Sequence, residues 1–237
     1  MFYSIKLSKA LDLGLFLCLI VAAVLLVSTA QRISAVQADA PETQTFLVID
    51  PGHGGIDGGA IAFNGVKESD INLAIALKLQ ALAEFCGVHT FMTRSDDSRR
   101  TDLASYSEHE DLVHRTELIN SVPNAVLISI HQNFYPTSQP SGAQVLYASG
   151  EHSRLFGEKT HGELVSYLQP DNRRLAEPAS EKLYITSHVG CPAILVECGF
   201  LSNLTDLQHL EDDTYQTSFA AVLLHAYLGF HSDKNYT

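Results

Sequence analysis

The sequence is poor in fixed positive charge. It carries 15 Lys and Arg against 27 Asp and Glu over 237 residues, a formal charge of -12. Nucleic acid rewards clustered Lys and Arg, so this balance argues against a nucleic-acid partner. Cysteine is scarce too. Of the four, Cys18 lies inside an apolar run near the start, which leaves Cys86, Cys191 and Cys198. An odd count is not a complete disulfide framework. No C-x-x-C pair occurs, and the three read as small buried hydrophobes. Internal repeats and low-complexity tracts are absent as well. What remains is ordinary globular material, 46% hydrophobic and 18% charged, long enough for one domain with a full core.

The first segment stands apart. Lys6 and Lys9 precede Leu13 to Ala30, an 18-residue stretch without a charge. At about 1.5 Å per residue such a helix spans roughly 27 Å, enough to cross a bilayer. The basic start favours a cytoplasmic N-terminus and export of the rest of the chain. Residues 1–30 therefore read as a signal peptide, cut after Ala30 or Ala38, or as an uncleaved membrane anchor. Residues 31–44 read as a polar linker, 45–232 as the catalytic domain and 233–237 as a tail.

From Phe46 onward, strand-like and helix-like segments alternate. "TFLVID", "VHTFMTR", "AVLISIH", "GAQVLYA" and "PAILVECGF" read as strands. "AVLISIH" is continuously apolar, as a strand covered on both faces should be. "SDINLAIALKLQALAEFCG" reads as a helix capped by Ser69 or Asp70 and stopped by Gly87. "EDLVHRTELINSV", "SRLFGEKTHGELVSYL" and "TYQTSFAAVLLHAYLGF" read as further helices. The alternation predicts a single α/β domain, a mostly parallel twisted sheet with helices on both faces.

Ligands of such sheets bind beyond the carboxyl ends of the strands. His53 follows the first strand, in "DPGHGGIDGGA". His131 ends the third, and Glu197 lies at the carboxyl end of the late one. Glu68 closes the loop that His53 opens. Each has a plain alternative: a hydrogen-bonded turn histidine, a charge at a helix start, a strand-end cap. Glu197 resists one, since a carboxylate in "AILVECGF" costs several kcal/mol unless paired or bound. Together the four suit a catalytic zinc site: His53, Glu68 and His131 as ligands, a fourth position for water, and Glu197 as general base and acid. His188 borders this region in sequence. The other histidines weighed (His89, His109, His114, His152, His161, His225 and His231) read as solvated or structural.

"VIDPGHGGIDGGA", "KESDINLAIALKL", "MTR", "HRTELIN", "ISIHQN" and "PAILVECGFLSN" resemble, in order, the motifs of zinc-dependent N-acetylmuramoyl-L-alanine amidases of the type 3 cell-wall family. The likeness runs from about Phe46 to Phe230. It implies an α/β fold, one Zn2+ held by His53, Glu68 and His131, catalysis by Glu197, and cleavage between the lactyl group of muramic acid and L-alanine in peptidoglycan. A single apolar leader before a bare catalytic domain, with "LASYSEHEDLVHRTELIN", is similar to the germination-specific amidases of spore formers, which help make muramic δ-lactam in spore cortex. The protein is then expected outside the cytoplasmic membrane, anchored or secreted, with an accessory protein for zinc loading or recruitment as a further expectation. Arg115 is read as structural or as a substrate contact, Asn133 as an orienter of His131 or a glycan contact. Gln132 stands where many members have a small residue, and it would alter substrate choice if it points into the groove. Gly58 and Gly59 would leave room for a bulky glycan. The readings set against this one are a vegetative autolysin, a zinc peptidase of the stem peptide, a cysteine hydrolase using Cys198 with His188, and a non-catalytic wall-binding protein.

Overall fold

The computed structural model describes residues 44–97 and 107–232. The apolar leader, nearly all of the linker and the tail lie outside them. Six strands and six helices are present among the described residues: β1 (Phe46–Pro51), α1 (Glu68–Phe85), β2 (His89–Met92), α2 (Glu108–Asn120), β3 (Ala125–Asn133), β4 (Gln144–Tyr147), α3 (Glu151–Tyr167), β5 (Glu177–Pro178), α4 (Tyr184–His188), β6 (Ala193–Phe200), α5 (Leu204–Glu211) and α6 (Asp213–Ser232).

The strands form one sheet in the order β2-β1-β3-β6-β4-β5. β2, β1, β3 and β6 are parallel, and β4 runs antiparallel to β6. β1, β3 and β6 are covered on both faces, which explains their unbroken apolar runs. Side chains alternate across them. Leu47, Ile49, Val126, Ile128, Ile130, Ile194, Val196 and Cys198 join a core under α1, α3, α5 and α6. Val48, Leu127 and Ala193 pack on the other face with Ile119 of α2 and Ile185 of α4. The result is the expected three-layer α/β domain with a mostly parallel sheet. No helix among the described residues is long and apolar enough to cross a membrane.

Three local expectations need correction. Neither Ser69 nor Asp70 caps α1. The helix starts at Glu68, after Lys67, with no side-chain cap. Its first N–H groups are taken by the returning loop instead: Glu68 N donates to Ala60 O at 2.8 Å and Ser69 N to Gly58 O at 3.1 Å. This satisfies the open helix end and lets the Glu68 side chain serve elsewhere. The cysteines are not uniformly buried: Cys198 is, Cys191 is half-buried, and Cys86 at the end of α1 is exposed. Helices α4 and α5 are not evident in the apolar periodicity, being short. The sign for α5 was Asn203, whose side chain accepts from Thr205 N and Asp206 N, an ordinary N-cap.

Candidate metal centre

The site is built where β1, β3 and β6 end. β1 delivers the chain into a turn opened by His53, whose φ is 60°. That left-handed conformation is uncommon for a residue with a Cβ. Arg115 holds it by donating from Nη2 to the His53 carbonyl at 2.6 Å, and Arg94 Nη2 donates to the Gly52 carbonyl at 3.0 Å. Asp57 Oδ2 lies 2.7 Å from His53 Nδ1. This contact fixes the ring and turns Nε2 toward Glu68 Oε1, 3.3 Å away.

Glu68, at the buried start of α1, is held at both oxygens. Oε2 accepts from Ala60 N at 3.0 Å. Oε1 accepts from Gln132 N at 3.0 Å and Asn72 Nδ2 at 3.4 Å, and it lies 3.0 Å from His131 Nδ1. The three side chains approach only because glycines let them. A Cβ on Gly52 would overlap the His131 ring, and one on Gly59 would lie 2.6 Å from Glu68 Oε2 and 2.8 Å from His53 Cδ2. The expectation that Gly58 and Gly59 make room for a glycan is corrected here. Gly59 makes room for the site's own side chains, and a Cβ on Gly58 would meet the Lys67 stem at 3.1 Å.

The facing atoms of His53, Glu68 and His131 lie within 4.8 Å of one another. A tetrahedral ion with ligands about 2.1 Å away has ligand–ligand edges of about 3.4 Å. The oxygen–nitrogen separations of 3.0 and 3.3 Å are close to that, so the donor set fits a small divalent cation such as zinc. Its electrostatics suit one as well. Burial would raise the Glu68 pKa, but the two imidazoles hold it well below the usual carboxylate range. Burial opposes protonation of His53, yet its hydrogen bonds to the Asp57 and Glu68 carboxylates raise its pKa to about 9. A proton therefore occupies, without metal, a place where a cation is favoured.

Glu197 lies beside His131 in the β3–β6 register, on the α2/α4 face of the sheet. Its Oε2 is out of water and has no hydrogen-bond donor among the described residues. Burial first, then repulsion from Glu68, pushes its pKa up to about 7 against the attraction of His131 and His53. An unpartnered carboxylate oxygen beside a cation-seeking trio is costly unless something else binds there. A groove of about 310 Å3 connects it with His53, Glu68 and His131, and Tyr184 and Lys182 also line it.

The remaining expected residues fall differently. Arg115 is buried, with Nε on Asp111 at 2.9 Å and Nη1 on Asp50 at 3.1 Å and on Pro51 O at 2.8 Å. Its fork is committed to the protein, which fits the structural one of its two readings and not the substrate contact. Asn133 is half-buried at the end of β3. Among the described residues no hydrogen bond joins its side chain to His131. The Gln132 side chain turns inward, with Nε2 donating to Asn72 Oδ1 at 3.0 Å. His188 is exposed, its Nδ1 on Tyr184 O at 2.8 Å and its ring stacked on Tyr184. Cys198 belongs to the core on the opposite sheet face, and burial pushes its thiol pKa far up. A Cys198–His188 pair is thereby ruled out. His161 is structural, with Nε2 on Arg174 O at 2.7 Å.

Asp57, Asp50 and Asn72 were missed from the sequence. Asp50 is fully buried and accepts from Thr93, Ser129 and Arg115. Burial would raise its pKa, but Arg115 above all holds it lowered. Its signal was the one that exposed Glu197, an acid inside an apolar run. Asp57 stood in the glycine turn, four residues after His53.

A His–Glu–His trio with a neighbouring unpartnered carboxylate, at the carboxyl edge of a mostly parallel sheet, is an arrangement that could hold a metal ion and serve hydrolysis. Residues 47–226 match the family model for N-acetylmuramoyl-L-alanine amidase, and the chain belongs to that family of enzymes. It is 33% identical over 208 residues to the germination-specific N-acetylmuramoyl-L-alanine amidase of Bacillus subtilis, covering 82% of this chain and 83% of that one. The CwlD amidase of Clostridioides difficile, solved in complex with the GerS lipoprotein, superposes with a TM-score of 0.74 at 31% identity, covering 79% of this chain and 98% of that one. An N-acetylmuramoyl-L-alanine amidase from Clostridium difficile 630 superposes with a TM-score of 0.72 at 27% identity, over 81% and 99% of the two chains.

Proposed function

We propose that this protein is a zinc-dependent amidase that cuts peptidoglycan between the lactyl group of muramic acid and L-alanine, outside the cytoplasmic membrane. The observation that carries the reading is the unpartnered Oε2 of Glu197 at the trio His53, Glu68 and His131. Those three residues would hold the metal. Bound there, zinc supplies an acidified water and an electrophile for the amide carbonyl.

The chain's own residues do the rest. Glu197 takes a proton from the attacking water at its carboxylate and later delivers a proton to the departing L-alanine nitrogen. In the metal-free protein burial raises the Glu197 pKa, and a cation held by the trio would lower it toward the ionised form that accepts the first proton. Asp57 holds His53 by Nδ1, and Asn72 and the Gln132 amide hold Glu68. Leu112, Ile185 and Leu195 line the groove and limit water around the reacting amide.

Two finer points belong to this reading. The likeness to a germination-specific amidase supports a role in making muramic δ-lactam in spore cortex. The complex of the similar CwlD amidase with a lipoprotein supports an accessory partner for this chain. Mass spectrometry of purified peptidoglycan, digested with and without a chelator, tests the activity. A new lactyl carboxylate and a free L-alanine amine, both lost with chelator, are expected. Cuts between stem-peptide residues would make it a zinc peptidase instead.

A further inference from the structure

The groove has an uneven charge. Three carboxylates line it, from Glu68, Glu197 and Glu108. Metal would offset Glu68, but Glu108 at the start of α2 has no such partner. Among the described residues Lys182 is the one lysine or arginine on the groove wall, and it makes no ion pair there. Yet the backbone at Lys182 is fixed. Lys182 N donates to Ser180 Oγ at 3.3 Å, and Leu183 N donates to Ser180 O at 2.9 Å. The next wall residue, Tyr184, is gripped between two histidines. It stacks on His188 at 3.9 Å and 10°, and meets His109 edge-on at 5.3 Å and 88°. Lys182, its ammonium unspent among the described residues, lines the same groove of about 310 Å3 as the metal trio.

We propose that Lys182 reads a carboxylate of the stem peptide close to the scissile amide. This rests on the amidase reading and extends it to substrate choice. A neighbouring residue bearing a free carboxylate would pair with the Lys182 ammonium. The same residue with its carboxyl converted to a carboxamide would leave that ammonium without a counter-charge. Exposed ion pairs of this kind change affinity by about two- to fivefold, so the effect is one of selectivity.

The test uses two muropeptides that differ only in whether the residue after L-alanine carries a free or an amidated carboxyl. The free form is expected to be favoured about two- to fivefold in kcat/KM, through KM. Lys182→Met should bring the ratio to about one, Lys182→Glu should invert it, and Lys182→Arg should keep it. Lys159→Met, which removes a distant charge on α3, should leave the ratio alone. An unchanged ratio in Lys182→Met, or an equal change in Lys159→Met, overturns the proposal. The two ligands are also titrated calorimetrically into Glu197→Gln and into Glu197→Gln/Lys182→Met. This reads selectivity without turnover, so equal affinity for both in the first protein overturns the proposal even if the amidase reading itself fails.

Discussion

At the scale of single residues, the site turns on side chains whose nearest partners are other charged groups. Glu197→Gln keeps shape and removes the proton carrier. Zinc content by elemental analysis should stay at the wild-type value while hydrolysis of muropeptides falls about 10^2- to 10^4-fold. Full activity would take Glu197 out of the mechanism. His53 sets the pH dependence. Its pKa is raised from 6.5 to about 9 by Asp57 and Glu68 against burial. The stability contributed by its protonated form in the metal-free protein is therefore complete below about 6.5, and is lost as pH rises through about 9. Metal needs the neutral ring, so zinc affinity should rise with pH up to about 9, with about one proton released per zinc between pH 7 and 8. Calorimetry in buffers of different ionisation enthalpy measures that proton, and a release of none would contradict the ligand role of His53. Asp57→Asn should weaken zinc binding about 10- to 100-fold, read by chelator competition.

At the scale of elements, the strand ends and one turn place these residues, and buried charges hold the turn. Arg115 on α2 bridges Asp50 on β1, Asp111, and the carbonyls of Pro51 and His53. Removing it leaves two carboxylates without their cation in a buried place. Arg115→Met should cost about 3–5 kcal/mol in urea unfolding, and it should loosen zinc as well, since the His53 carbonyl loses its donor. Gly52→Ala separates steric placement from strain. Gly52 has no positive φ, but a Cβ there would overlap the His131 ring. Lower zinc stoichiometry in a folded variant is the expected outcome, and wild-type stoichiometry would show that the ring has another place to go. The elements themselves were largely legible, because long apolar runs and helical spacing record burial directly. The short ones were not. Helix α4 has five residues, too few to show a period, and the start of α1 was misplaced because loop carbonyls rather than a capping side chain complete it.

At the scale of the whole molecule, a metal that binds the folded form alone stabilises it by mass action. Zinc at about 100 times its dissociation constant contributes about 2.7 kcal/mol, which for a domain of this size raises Tm by roughly 5–10 °C. Differential scanning calorimetry with zinc and with chelator measures the difference, and coincident transitions would contradict a metal seated in the folded domain.

The sequence by itself determined the class of fold, because burial on both faces of a parallel sheet leaves continuous apolar strands that need no partner to be read. It also determined which four residues to suspect. A carboxylate within an apolar strand is costly unless something binds it, and glycines around a histidine let the backbone come close to a ligand. Only the tertiary structure decided what surrounds them. That Asp57 grips His53, that Arg115 is a strut rather than a substrate contact and that Gln132 faces inward all depend on long-range packing. The spacing of residues along a chain does not encode the direction of a hydrogen bond or the clearance left by a missing Cβ.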